Sequence, residues 1–252
     1  MNFLQHVTFT GLDEETNILD LLLLARSAGI GNVEIGILYS EKLAGKNPRY
    51  PSYEFVKKIG ELAGRSQMPF MTSLHLCGKA ARDIINYTAE ENLYELVDLY
   101  KNLQLNFRVD DSDPDFNTEV LQKRVANMVC LDHKHKFIVQ DHAPNHKLCT
   151  ALANYPPTCA NILFDCSGGN GVVPETWPKS HPGIFCGYAG GLNPDNKATE
   201  IVKIQTSLTT NETCFIDMES GVRTDNKFDL QKVEQVLNLV KPYFVRGVSS
   251  HY

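Results

Sequence analysis

The amino-acid sequence predicts an α/β fold, a single (β/α)8 barrel domain spanning residues 1–252. Strand and helix signals alternate along the whole chain, and glycine-rich turns follow the last three strands. The 252 residues also match the roughly 250 that such a barrel typically needs. The strands are short apolar runs, as expected for parallel strands that are covered on both faces. The predicted strands span residues 6–10, 33–39, 70–76, 105–109, 136–140, 161–165, 184–188 and 214–218.

A doubly wound open sheet is the competing α/β architecture. Its fingerprint is a glycine-rich turn after the first strand, but that turn here contains only Thr10, Gly11 and Leu12. The glycines are concentrated after the later strands instead, which favours the closed barrel.

The helical patterns between the strands are amphipathic. One apolar stripe covers residues 55–63, and another covers residues 230–240 and stops at Pro242. Asn193 followed by Pro194 predicts a capping residue and the first residue of a further helix.

Composition and charge argue against several classes of protein. The net charge is −6 with no block of like charges, so no nucleic-acid partner is expected. No stretch approaches the ~18 uninterrupted apolar residues of a membrane span, and the first residues lack a secretory pattern. The seven cysteines are odd in number and form no CxxC pair, which fits a reducing cytosol and predicts a cytoplasmic protein. The oligomeric state stays open.

Neither an organic cofactor nor a metal is predicted. The sequence has no early Gly-x-Gly-x-x-Gly turn for a dinucleotide. The histidines that invite a metal site are His133, His135, His142 and His146. The first two lie in a lysine-rich turn, however, and Pro144 interrupts any helical pairing of the last two.

The glycine-rich turns carry the main functional prediction. Backbone N–H groups exposed by glycine at the carboxyl end of a strand can cradle a phosphate dianion. Barrels frequently place this site after strands 7 and 8. A small phosphorylated substrate is therefore the predicted partner. The residues expected to contact it are Gly168, Gly169, Gly190, Gly191, Ser220 and Gly221.

Acidic side chains occupy the same strand ends. Asp165 closes an apolar strand just before a glycine-rich turn, which is where barrels place catalytic groups. Asp217 and Glu219 bracket the end of the last strand, and alternation turns both of them into the barrel. We expect Asp165 to act in catalysis and Asp217 to contact the ligand.

Four motifs occur along the chain. They are Asp165 with the Gly-Gly-x-Gly turn after it, Ala-Gly-Gly-Leu-Asn-Pro-Asp-Asn at 189–196, Asp-Met-Glu-Ser-Gly-Val at 217–222, and Ile-Gly-Ile-Leu-Tyr at 35–39 with Pro-Arg-Tyr at 48–50. Together they resemble the strand-6, strand-7, strand-8 and strand-2 motifs of the phosphoribosylanthranilate isomerase family. Members of that family are (β/α)8-barrel enzymes of tryptophan biosynthesis.

The resemblance implies an Amadori rearrangement of an N-linked ribose phosphate. In that family an aspartate at the end of strand 6 is the general acid, and a cysteine at the end of strand 1 is the general base. The arginine of the Pro-Arg-Tyr element faces the substrate carboxylate. Carried over, Asp165 is the acid, Arg49 binds the carboxylate, and the turns after strands 7 and 8 hold the phosphate.

The sequence departs from the family at strand 1. Thr10 stands at the position of the catalytic cysteine, and a threonine hydroxyl has too high a pKa to act unaided as a base, a role typically worth about 10²–10⁴ in rate. The possible substitutes are His75, Cys77, Asp141 and His142. An isomerase is the first hypothesis. A different sugar-phosphate lyase or aldolase, and a binding protein that has lost catalysis, are the alternatives.

Overall fold

Eight parallel strands form a closed barrel in which each strand pairs with its neighbours in sequence order. The computed structural model describes residues 2–29, 31–64, 68–154, 160–168 and 170–245. The last strand pairs back with the first, with Asp217 opposite Thr8, which closes the cylinder. This confirms the predicted (β/α)8 architecture.

The elements follow one another in the order that the sequence patterns predict. The barrel strands are β1 (Leu4–Thr10), β2 (Val33–Tyr39), β3 (Met71–Cys77), β4 (Asn102–Asn106), β5 (Lys136–Asp141), β6 (Ala160–Asp165), β7 (Cys186–Ala189) and β8 (Cys214–Met218). The helices are α1 (Ile18–Ala28), α2 (Tyr53–Gly64), α3 (Lys79–Asn86), α4 (Glu91–Asp98), α5 (Thr118–Leu131), α6 (His146–Ala153), α7 (Lys197–Ser207) and α8 (Leu230–Val240). A short hairpin, β9 (Arg223–Thr224) and β10 (Lys227–Phe228), is inserted between β8 and α8.

The fourth strand is the one that the sequence analysis misplaced. The expected strand at 105–109 is instead β4 at Asn102–Asn106. Buried Leu103 and Leu105 alternate with polar residues in β4, so the strand lacks the continuous apolar run used to locate it. The apolar residues beyond it, Phe107 and Val109, are buried in the following loop. The ends of the other predicted strands lie within two residues of the observed ends.

Two of the helix predictions are confirmed, and a third needs correction. Helices α2 and α8 coincide with the two amphipathic stripes. Helix α7, in contrast, begins at Lys197 rather than at Pro194. The Asn193 side chain caps the preceding turn by accepting hydrogen bonds from the N–H groups of Asp195 and Asn196, at 2.8 and 3.1 Å.

The barrel interior is polar along its first four strands. The main hydrophobic core lies between the strands and the surrounding helices, and a small separate apolar cluster sits around Leu163 and Phe215. The buried polar side chains that strand alternation turns inward include Thr8, Thr10, Glu34, Ser73, His75 and Gln104. At the amino end of the strands, Glu34 accepts hydrogen bonds from Thr8, at 3.0 Å, and from Asn102. The interior is therefore held by hydrogen bonds as well as by apolar packing.

Among the helices of the described ranges, none has both the length and the apolar character needed to cross a membrane.

Candidate functional site at the carboxyl ends of the strands

A cavity of about 360 Å³ opens at the carboxyl ends of the barrel strands. Barrel enzymes place their active sites at this face. Of the residues predicted to act in catalysis or to bind the ligand, those lining this cavity are Thr10, Arg49, Asp165, Gly168, Gly190, Gly191, Asp217 and Ser220. Gly221 lines a second, adjoining cavity of about 350 Å³. Gly169 lies outside the described residues.

The turns after β7 and β8 pack directly against each other. A Cβ on Gly221 would stand 1.9 Å from the carbonyl oxygen of Leu192, so only glycine permits this contact. Gly190 and Gly191 have φ angles of +116° and +63°, in the region that glycine adopts without steric cost. Both cavities share Gly191 and Ser220, so these turns form the wall between them.

Several backbone N–H groups at these turns have no hydrogen-bond acceptor among the described residues. None of the hydrogen bonds among the described residues uses the N–H of Gly191, Leu192, Ser220 or Gly221. Unpaired backbone donors beside a cavity favour an anionic ligand. The adjoining cavity is lined by a cation, Lys232, and also by the carboxylate side chain of Asp195.

Asp165 ends β6 with its side chain at the cavity. Its Oδ2 atom accepts a 2.7 Å hydrogen bond from Gln140 Nε2. Its Oδ1 atom accepts bonds from the hydroxyl and the N–H of Ser167, at 2.8 and 3.2 Å. The carboxyl group is therefore fixed in one orientation.

Asp217, in β8, lines the same cavity and is contacted by Thr10. The Thr10 hydroxyl donates a 2.6 Å hydrogen bond to Asp217 Oδ1. Burial raises the pKa of Asp217 well above its usual range, and the carboxylates of Glu219, Glu34 and Asp165 add to that rise, whereas the bond from Thr10 opposes it.

Gly36 makes room for the side chains beside Asp217. A Cβ at this position in β2 would stand 2.4 Å from Thr10 Oγ1 and 2.7 Å from His75 Nε2. The absence of a side chain there allows the Thr10 hydroxyl and the His75 ring to approach each other inside the barrel.

Arg49 reaches the cavity from the loop after β2, but it is already paired. Its Nη1 atom lies 2.8 Å from Glu219 Oε1, with both side chains about one-third exposed at 32% and 28%. The same guanidinium donates a 3.4 Å bond from Nε to Asn226. Burial raises the pKa of Glu219, and Arg49 opposes that rise. The protein's own carboxylate thus occupies the guanidinium that the resemblance assigns to a substrate carboxylate.

The other candidate bases differ in their access to the cavity. His75 and Cys77 line it, but burial lowers the pKa of His75 to about 3 and raises the pKa of Cys77 to about 12. The inward position on β5 belongs to Gln140, which lines the cavity. Its neighbours Asp141 and His142 do not line it, and Asp141 instead pairs with His146 at 3.2 Å.

The sequence analysis missed the neutral polar residues that surround the site. Gln104, Asn106 and Gln140 all line the cavity from β4 and β5. The alternation of polar and apolar residues at 102–106 was a usable signal, because polar residues at every second position of a buried strand must face a hydrated space or a polar partner.

Two of the histidines weighed as metal ligands belong to ordinary pairs with aspartates. His135 lies 2.6 Å from Asp132, and His146 pairs with Asp141. Within the described parts of the chain, no three His, Cys, Asp or Glu side chains are arranged to hold a metal ion.

The fold and the site together define a (β/α)8-barrel protein with a polar cavity at the carboxyl ends of its strands. No known protein-family profile matches the chain, and no curated protein matches its sequence. Similarity is found with solved structures, of which the three described below share 11–13% sequence identity with this chain.

Three solved structures illustrate the similarity. N-(5′-phosphoribosyl)anthranilate isomerase from Pyrococcus furiosus superposes with a TM-score of 0.57 at 13% identity, covering 94% of this chain and 99% of that one. A mutant tryptophan synthase alpha-subunit from Pyrococcus furiosus gives 0.53 at 12% identity, covering 95% and 99%. An endo-1,4-beta-mannanase from Eisenia fetida gives 0.51 at 11% identity, covering 94% and 91%. These neighbours are TIM-barrel enzymes of different activities, so they establish the fold and leave the reaction to the site.

Proposed function

We propose that this protein is a sugar-phosphate isomerase of the aldose–ketose type that acts on a phosphoribosyl compound. One observation carries the proposal: N–H groups of the turns after β7 and β8 that have no acceptor in the described part of the chain border the same cavity as Asp165 and Asp217. A phosphate bound at the turns would hold the attached sugar beside both carboxyl groups. The motif resemblance to phosphoribosylanthranilate isomerase adds to this argument.

In the proposed reaction the phosphate provides binding energy and the carboxyl groups move protons. Asp165 donates a proton to the ring oxygen of the ribose, which opens the furanose to an imine. A base then removes the proton from C2, and the resulting enol tautomerises to the ketone. Gln140 and Ser167 position Asp165 through their hydrogen bonds, so that little reorientation is needed on binding.

The aldolase alternative has less support from the cavity. An aldolase that forms a Schiff base needs a lysine as nucleophile, and the described residues lining the larger cavity include none. The binding-protein alternative depends on whether any group replaces the missing strand-1 base, and turnover measurements decide it.

Substitution of Ser220 tests the phosphate site. Ser220→Asp places a negative charge among the unpaired N–H groups, while Ser220→Asn is a neutral control of the same size. The affinity for ribose 5-phosphate is measured by isothermal titration calorimetry. We expect the wild type and Ser220→Asn to bind it, and Ser220→Asp to lose most of that affinity because like charges repel. Equal affinity of the two variants for ribose 5-phosphate would show that its phosphate does not bind at these turns.

A further inference from the structure

The reaction proposed above requires a base, and the inward-facing groups of the cavity narrow the choice to one. Thr10 cannot act alone, and Asp165 is assigned as the acid. Glu219 is bound by Arg49 at 2.8 Å. His75 and Cys77 line the cavity, but a ring that stays neutral down to about pH 3 is a weak base, and a thiol with a pKa of about 12 supplies little thiolate. Asp217 remains.

We propose that Asp217 is the general base of this site and that Thr10 is the positioning residue that orients it. The assignment rests on the proposed function, because it names the proton acceptor of that reaction. Thr10 therefore holds the carboxylate that performs the chemistry, rather than performing it.

The hydrogen-bond geometry leaves one oxygen of Asp217 available. Thr10 donates to Oδ1 at 2.6 Å, and no residue in the described part of the chain donates to Oδ2. Asp217 also borders the cavity. One oxygen is therefore anchored and the other can receive a proton from a ligand.

The register of the barrel places the proposed acid and base on opposite sides of β7. Ala189 pairs with Asp165 on one side and with Asp217 on the other. With two strand spacings of about 4.8 Å, their Cα atoms are roughly 10 Å apart. The β7 chain continues from Ala189 directly into Gly190 and Gly191. A sugar anchored by its phosphate at this turn would extend between the two carboxyl groups.

The proton balance of the step is complete without a co-reactant. Asp165 gives its proton to the ring oxygen as the C1–O bond breaks. This leaves a protonated imine. Asp217 accepts the C2 proton, and the electrons of the C2–H bond form the C1–C2 double bond while the π electrons of the protonated imine move to nitrogen, which becomes a neutral amine. The C2 hydroxyl then loses its proton as C1 gains one. Exchange with solvent restores both carboxyl groups.

The groups facing Asp217 place its titration above that of an ordinary aspartate. Carboxylates approach from β2 (Glu34), from β6 (Asp165) and from the end of its own strand (Glu219), and all of them raise its pKa. Arg49 lines the same cavity but is paired with Glu219, and β3 contributes His75, whose pKa is lowered by burial. A base acts when ionised, so kcat should fall as pH drops through this raised pKa.

Three variants test the assignment: Asp217→Asn, Asp217→Glu and Thr10→Val. The probes are N-(5′-phosphoribosyl)anthranilate and its carboxylate-free analogue N-(5′-phosphoribosyl)aniline, with ribose 5-phosphate reporting binding alone. We expect Asp217→Asn to lower kcat by about 10²–10⁴-fold and to retain binding of ribose 5-phosphate. Asp217→Glu should keep the acidic limb of the pH profile. Thr10→Val should move that limb to higher pH, because a hydrogen bond that favours the ionised form is lost.

The outcomes separate this proposal from the proposed function. If Asp217→Asn keeps the wild-type kcat, Asp217 is not the general base. If the acidic limb of the pH profile does not move in Thr10→Val, Thr10 is not the positioning residue. Wild-type protein that binds ribose 5-phosphate but turns over neither probe also overturns the base assignment, while a phosphate-binding function survives. Wild-type protein that fails to bind ribose 5-phosphate instead removes the proposed function itself.

Discussion

Two aspartates line one cavity from β6 and β8, and they are held in different ways. Asp165 accepts hydrogen bonds at both oxygens, from Gln140 and Ser167. Asp217 accepts one hydrogen bond, from Thr10. Burial raises its pKa, and the surrounding carboxylates raise that pKa further. Two carboxyl groups in unequal environments can take different roles in proton transfer.

At the same scale, we expect the Arg49–Glu219 pair to influence which substituent the bound sugar can carry. Glu219→Gln should release the guanidinium and raise the ratio of kcat/KM for N-(5′-phosphoribosyl)anthranilate to that for the aniline analogue by about tenfold or more, because hydrogen bonds to charged groups contribute about 1.5–3 kcal/mol. The control is Glu95→Gln, which breaks the exposed pair with Lys57 on the outer helices. A ratio that stays at the wild-type value in Glu219→Gln would show that Arg49 does not face the substituent.

At the scale of elements, the β9–β10 hairpin is attached to the loop after β1 beside the cavity. Its turn residues Asp225 and Asn226 have φ angles of +49° and +61°, as a two-residue type I′ turn requires. Buried Arg223 lies 3.3 Å from Asp13 and also donates to the carbonyl of Gly11, next to Thr10. The hairpin thereby supports the strand end that carries Thr10.

The buried and exposed ion pairs of this hairpin should differ sharply in their effect on stability. Arg223→Met leaves the Asp13 carboxylate buried without its cation, so we expect a loss of about 3–5 kcal/mol in the free energy of unfolding. Lys227→Met removes the exposed pair with Glu15 and should change stability little, because water screens it. Urea denaturation measures both. Equal losses in the two variants would mean that the buried pair does not hold the hairpin.

At the scale of the whole molecule, the polar barrel interior makes stability depend on pH. His6 and His75 are buried, and burial lowers the pKa of both, that of His75 to about 3. The unfolded chain therefore binds protons that the folded protein excludes. The stability contributed by the two neutral histidines is fully present above their unfolded-state pKa of about 6.5. It is lost as the pH falls below that value, at up to about 1.4 kcal/mol per pH unit for each histidine.

Comparison with His75→Gln isolates one histidine from the other titrating groups. Urea denaturation of both proteins at pH 7, 6 and 5 should show the stability advantage of the wild type shrinking as the pH is lowered, because only the wild type carries the His75 penalty. The ring signals of His75 should accordingly show no titration by NMR over this range. A constant difference in stability between the two proteins would mean that His75 has the same pKa in the folded and the unfolded state.

The sequence by itself determined the barrel and much of the site. Short apolar runs locate most strands because parallel strands are buried on both faces. Glycine turns mark the carboxyl ends of the late strands because few other residues tolerate φ angles such as that of Gly190. The fourth strand escaped because its inward face is polar. Arg49, Asp165 and Asp217 could be named from their positions at strand ends, and the structure places them around one cavity.

Only the tertiary structure decided what these residues contact. That Thr10 donates to Asp217, that Glu219 neutralises Arg49, and that Asp141 faces away from the cavity all depend on pairs separated in sequence or on the register of neighbouring strands. Local patterns encode periodicity and turn chemistry, because those depend on adjacent residues. The pKa of a side chain depends on how deeply it is buried and on which charges lie near it. Both are determined only when the closed barrel brings distant parts of the chain together.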